Sequence, residues 1–134
     1  MPPALIDTDI LSAIMRRQAV AVAKAQTYLA SHTEFTFSII TRYEILRGLK
    51  AKGAQVQIQL FDQFCAANHI LAITDEIIDQ ASEIYADLYQ RGQLISDADI
   101  LIAASAMVHQ LTLVTNNENH FGRISGLQVE NWMK

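Results

Sequence analysis

The amino-acid sequence predicts a three-layer α/β/α sandwich with a mostly parallel central sheet. Short apolar runs alternate with stretches of helical periodicity along the whole chain. The intervening helices are long enough to carry right-handed crossovers, so successive strands pair in parallel and the helices cover both faces of the sheet. Several carboxylates also stand where apolar runs end. In such folds, ligands bind outside the carboxyl ends of the strands.

Taken in order, Ala4-Leu5-Ile6 reads as a short buried strand, and Asp9 to Met15 as a helix. Ala19 to Ala30 is alanine-rich, yet its apolar residues recur at helical spacing. Glu34 to Ile39, with the alternation Phe35-Thr36-Phe37, is a second strand. A helix from Ile40 to Lys50 ends near Gly53, and another runs from Gln55 to Ala67. Ile70 to Ile73 is a third strand. Thr74 caps a helix from Asp75 to Arg91, which has acids in its first turn and Ile77, Ile78, Ala81, Ile84, Tyr85 and Leu88 on one face. Gly92 is placed to end it. The helix after Ser96, reaching Gln110, is apolar almost all round, as one buried on most sides must be. Thr112 to Thr115 is a strand, Asn116 to Gly122 a loop or short helix, and Leu127 to Asn131 a last strand.

The 134 residues read as a single domain, residues 1–134, with half the chain apolar. No run approaches the roughly 18 apolar residues that a membrane span requires, so no membrane role is expected. Met1-Pro2-Pro3 lacks the basic segment of an export signal, and Cys65, the single cysteine, has no internal partner. A reducing cytoplasm is the compartment these features predict. A net charge of −4 argues against a surface that grips nucleic acid everywhere. Its cations are local, however: Arg42, Arg47, Lys50 and Lys52 fall in one stretch, Arg16 and Arg17 form a pair, and Arg123 stands near the end. Around an acidic pocket they would suit a phosphodiester substrate; alone, the Arg42 to Lys52 stretch also fits a solvated helix face.

Asp7 follows Leu5-Ile6, Glu44 lies in Tyr43-Glu44-Ile45-Leu46, and Asp97 and Asp99 precede Ile100-Leu101-Ile102-Ala103-Ala104. An ionised group at the rim of a core is tolerable only beside a cation or helix-terminus N–H groups. Taken singly, structure explains most of them. Asp7-Thr8-Asp9 can cap a helix, and Ser96-Asp97-Ala98-Asp99 fits a capping box. Glu44, inside a helix beyond its first turn, lacks that explanation, although Arg47 three residues on can pair with it. As a set, these acids predict one acidic pocket.

Four ordered motifs carry a family resemblance: Leu5 to Ser12, Ser38 to Gly48, Asp99 to Ala104, and Leu113 to Phe121, followed by Gly126 to Trp132. They resemble the PIN-domain nucleases, and within them the VapC-type toxins of toxin–antitoxin pairs. The resemblance implies that Asp7, Glu44 and Asp99 are the catalytic, metal-binding acids. Many relatives carry a fourth acid where this chain has Asn117, which offers only a neutral oxygen. Asp97 is then the candidate for extra acidity, and Asp9 occupies a position often filled by Asn. Thr8 and Thr41 resemble polar residues that orient ligands and water, while His120 in the matching loop is expected at the surface or behind the ligands. Arg16, Arg42, Arg47 and Lys50 are candidate RNA contacts.

The resemblance further implies an endoribonuclease selective for single strands, acting as a toxin on a structured cellular RNA such as a tRNA. It implies a small DNA-binding antitoxin as partner, and a homodimer. The chemistry is consistent with this: crowded carboxylates repel one another, and a hard divalent cation such as Mg²⁺, with Mn²⁺ as substitute, relieves that repulsion. No Cys/His set for zinc and no glycine-rich phosphate loop occurs. Two other readings stay open. An inert PIN-like binding module would follow if Asn117 abolished metal binding. A haloacid-dehalogenase-like phosphatase would use Asp7-Thr8-Asp9, but the glycine expected after the second Asp is missing, and no lysine occurs between Lys52 and Lys134.

Overall fold

The computed structural model describes residues 1–134. Five short strands, β1 (Ala4–Ile6), β2 (Thr36–Ser38), β3 (His69–Leu71), β4 (Thr112–Val114) and β5 (Val129–Glu130), alternate with seven helices. The helices are α1 (Thr8–Met15), α2 (Ala19–Ser31), α3 (Ile39–Ala51), α4 (Gln55–Ala67), α5 (Asp75–Gln90), α6 (Asp97–Val108) and the single turn α7 (Glu118–Phe121). All ladders are parallel, with Leu5 opposite Leu113, Leu113 opposite Val129, and Phe37 opposite Ile70. They form a three-stranded ladder ordered β1-β4-β5 and a two-stranded ladder β2-β3, with β2 lying against β1.

Strand alternation sends neighbouring side chains to opposite faces. Leu5 and Leu113 pack with Ile77, Ala81, Ile84 and Leu88 of α5 and with the buried residues of α6. Ala4, Ile6 and Val114 point the other way, into a core with Ile10 and Leu11 of α1, Tyr28 of α2, Ile45 of α3, Phe61 of α4 and Trp132. The expected three layers follow from this division. Helix α6 buries Ile100, Ile102, Ala103, Ala104, Ser105 and Ala106, which explains its apolar character on nearly every side.

Element ends differ from the sequence expectations where a side chain caps the backbone earlier. The second strand stops at Ser38 rather than Ile39, because the Ser38 hydroxyl accepts the Ile40 N–H and starts α3. Helix α1 begins at Thr8 rather than Asp9, since Asp7 Oδ1 accepts the Thr8 N–H at 2.8 Å. Thr74 caps α5 as expected, accepting from Ile77 N–H, and Gly92 takes φ +65° just beyond its end. Helix α6 closes with Gln110 at φ 55°, a left-handed position that the Leu111 N–H···O=C Ala106 bond completes.

Candidate active site

Parallel pairing of β1 with β4 brings their carboxyl ends side by side, placing Asp7 next to Thr115. The backbone ladder continues there, with Asp7 N–H donating to Val114 O at 2.9 Å and Thr115 N–H to Glu130 O at 2.9 Å. Both residues are buried, Asp7 at 5% exposure and Thr115 fully. The Thr115 hydroxyl donates to Asp7 Oδ2 at 2.7 Å while Thr8 N–H holds Oδ1. Each oxygen of this carboxylate is therefore fixed by one donor, which sets its orientation.

Asp9 stands beside it. Its Oδ1 accepts Ile10 N–H at 2.7 Å, and its Oδ2 accepts Asn116 N–H from the loop after β4 at 3.0 Å. Burial pushes the Asp7 carboxyl up to about 7, with the Asp9 charge adding and the Asp99 charge contributing least; the bonds from Thr115 and Thr8 oppose the rise. Burial likewise raises Asp9, against the stabilising N–H groups of Asn116 and Ile10. Asp7, Asp9 and Asp99 thus share one electrostatic pocket. Glu44 joins through Thr8, whose hydroxyl donates to Glu44 Oε1 at 2.7 Å and lies 3.0 Å from that of the buried Thr41. On its outer side Glu44 meets Arg47 at 3.8 Å, and the Arg47 guanidinium lies over the Tyr43 ring.

Asp99 resolves the capping ambiguity in a mixed way. Ser96 Oγ accepts Asp99 N–H at 3.2 Å, so Ser96 caps α6, but the Asp99 side chain does not return the bond to Ser96. Its Oδ2 instead lies 3.3 Å from His120 Nδ1, which also meets the Asn117 side-chain amide at 2.8 Å. Asn117 and Asp99 thus converge on one ring nitrogen, which accepts from the amide when bare and donates to the carboxylate when it carries the hydrogen. Asp97, on the first turn of α6, is exposed and lines the cleft between α5 and α6 with Ile78 and Tyr85; the acid beside Asp7 and Asp99 is Asp9.

Among the basic candidates, Arg16 lines a groove with Thr8 and Glu44, and so does Lys52. Arg42 faces the Cys65 thiol of α4, which burial pushes up and Arg42 pulls down, and Lys50 is exposed. Thr115 and the Asn116 N–H were not singled out by the motifs. A polar residue directly after the apolar β4, on the strand that neighbours β1, is the signal that points to Thr115.

The donor set is made of hard carboxylate oxygens carrying excess negative charge, which suits a hard divalent cation better than a thiolate-seeking metal. As placed, no three carboxylate or imidazole groups yet surround a common point closely enough to hold an ion. Burial first, and the neighbouring Asp9 charge after it, raise the Asp7 carboxyl, so charge here is held where water screens it poorly.

Comparison with known proteins places this geometry in a family. The family model for the PIN domain matches residues 4–127. Ribonuclease VapC1 of Methanocaldococcus jannaschii is 31% identical over 127 residues, covering 93% of this chain and 85% of that protein. The tRNA(fMet)-specific endonuclease VapC of Shigella flexneri is 23% identical over 129 residues, covering 96% of each chain. The crystal structure of VapBC2 from Rickettsia felis, bound to a promoter DNA fragment, contains a chain that superposes with a TM-score of 0.85 at 29% identity, covering 96% of this chain and 98% of that one. The motifs, the parallel sheet and the acids at its carboxyl edge agree with these matches: the chain belongs to the PIN-domain family, among the VapC ribonucleases.

Proposed function

We propose that this protein is a divalent-metal-dependent endoribonuclease that hydrolyses phosphodiester bonds in single-stranded regions of a structured cellular RNA such as a tRNA. One observation carries the proposal. A buried carboxyl, Asp7, is oriented at both oxygens yet pushed up to about 7 by burial and by neighbouring acids, an arrangement that is costly without a cation.

Asp7, Glu44 and Asp99 are the ligands that would hold Mg²⁺, or Mn²⁺ in its place. The ion supplies the chemistry when bound, acidifying a coordinated water and offsetting charge on the phosphoryl oxygens. The chain's own groups position the acids: Thr115 and the Thr8 N–H fix Asp7, the Thr8 hydroxyl fixes Glu44, and His120 Nδ1, in the tautomer that carries hydrogen there, donates to Asp99. Asp9 adds negative charge that strengthens the attraction for a cation.

The match to VapBC2, a complex held on its promoter DNA, supports a toxin role with a small DNA-binding antitoxin as the silencing partner, and the cytoplasm is the compartment of this reading. Apolar side chains left open on α4, Val56 and Leu60, are consistent with pairing of two copies. Light scattering should show a dimer at micromolar concentration, and a monomer there would contradict the assembly. A second reading, RNA binding without cleavage, is favoured by Asn117 being turned to His120 rather than toward the acids. One assay separates the two: the purified chain should cut single-stranded RNA with Mg²⁺ or Mn²⁺ and stop in EDTA. Cleavage undiminished by EDTA would refute the metal mechanism, and binding with no cleavage would select the second reading.

A further inference from the structure

Gly48 sits inside α3, where glycine disfavours helix relative to alanine because it has more backbone freedom to lose. Glycine is usually kept in a helix for close packing or for a positive φ. Neither holds here, because a Cβ built on Gly48 meets nothing within 4 Å and its φ is ordinary. The open space belongs to a groove of about 270 Å³ between α1 and α3, whose lining includes Thr8, Ser12, Arg16, Glu44, Gly48 and Lys52.

Arg16 and Lys52 are exposed, and neither takes part in any of the chain's four ion pairs. Each stands at the C-terminal end of its helix, where the dipole favours a cation. The dipole does not account for their convergence on one groove, nor for a glycine between them. In a chain of net charge −4, two cations outside every ion pair therefore line one groove together with the open backbone of Gly48 and with Glu44.

We infer that this groove is a phosphate subsite for the RNA strand: Arg16 and Lys52 hold a backbone phosphate next to the scissile one, and Gly48 leaves room for the strand to lie against α3. The inference rests on the ribonuclease reading and adds where the strand runs. Arg42 and Lys50 have no place in this subsite. A protein segment lying in the groove is the competing occupant, but the unpaired cations favour a polyanion.

The test uses the full chain and a fluorophore-labelled, unstructured oligoribonucleotide. Wild type is compared with Arg16→Gln/Lys52→Gln, with Gly48→Ala, and with Lys24→Gln, a cation on α2 that does not line the groove, as control. Steady-state cleavage in Mn²⁺ should show KM raised at least tenfold in the double variant with kcat within about twofold, and little change in the control. The dependence of log KM on log salt should flatten by about 1.4, at roughly 0.7 per cation on a single strand. Gly48→Ala should raise both the melting temperature and KM, a combination that a glycine serving only the fold would not give.

KM within twofold of wild type in the double variant would overturn the subsite, as would a lowered melting temperature or an unchanged KM in Gly48→Ala. If wild type does not cleave, the ribonuclease reading fails, and the subsite is then judged by fluorescence anisotropy of the same oligonucleotide in EDTA. Weaker binding by the double variant supports it; equal binding overturns it and leaves the groove to a protein occupant.

Discussion

Burial, and after it the Asp9 charge, holds the Asp7 carboxyl near pH 7 in the folded chain, whereas an unfolded aspartate titrates at about 3.8. Between these values the folded chain keeps a proton that the unfolded chain has released. Its contribution to stability is therefore fully present below pH 4 and is lost as pH rises through 7. The metal-free protein should melt at progressively lower temperature than its Asp7→Asn variant as pH goes from 5 to 8; a difference that stays constant with pH would rule out the raised carboxyl. The Thr115 hydroxyl opposes the shift by donating to the ionised form. Thr115→Val should accordingly cost about 1.5–3 kcal/mol at pH 8, where the bond is charge-assisted, and less at pH 5, as read by urea unfolding. Asp7 was legible in the sequence because it ends an apolar strand. Thr115 was not, because its partnership with Asp7 depends on β1 and β4 being neighbours, a contact more than a hundred residues apart in the chain.

Helix starts were legible where the capping side chain is local. Thr74 and Ser96 bond N–H groups three residues ahead, within the reach of a short motif. The capping-box pattern at Ser96 misled by half. A carboxylate three residues after a serine can return the bond, but His120 lies 3.3 Å from Asp99 and draws it elsewhere. The first strand was legible to its last residue, whereas the second overran by one, since Ser38 ends β2 by capping the following helix. Helix ends carry a stability prediction. Gln110 occupies a left-handed position that glycine accepts without Cβ strain, so Gln110→Gly should stabilise the chain by about 0.5–1 kcal/mol in urea unfolding. An unchanged or lowered stability would mean that the Gln110 side chain contributes more than its backbone costs.

For the molecule as a whole, composition set the scale but concealed the charge distribution. The sequence grouped Arg42, Arg47, Lys50 and Lys52 together, and α3 then disperses them. Lys52 turns to the groove with Arg16, Arg47 stacks on Tyr43 beside Glu44, and Arg42 faces Cys65. Helical rotation of about 100° per residue makes such dispersal inevitable for a contiguous charge run. The acids behave oppositely. Residues as far apart in the chain as Asp7 and Asp99 come within reach of each other's charge because a parallel sheet gathers the carboxyl ends of its strands and the starts of the helices that run back between them at one edge.

The central claim is that Asp7, Glu44 and Asp99 form one metal-dependent site, and Asp99 tests it most directly because it also stands in the first turn of α6. Thermal melts of wild type and Asp99→Asn should be recorded at pH 8 with and without Mn²⁺. As a ligand that favours the folded state, Mn²⁺ should raise the melting temperature of wild type in proportion to its occupancy. It should hardly move the variant, whose metal-free melting temperature should equal or exceed that of wild type because one crowded negative charge is gone. Equal Mn²⁺ shifts in the two proteins, with a variant less stable in the absence of metal, would contradict the account and leave Asp99 as a helix-start residue alone.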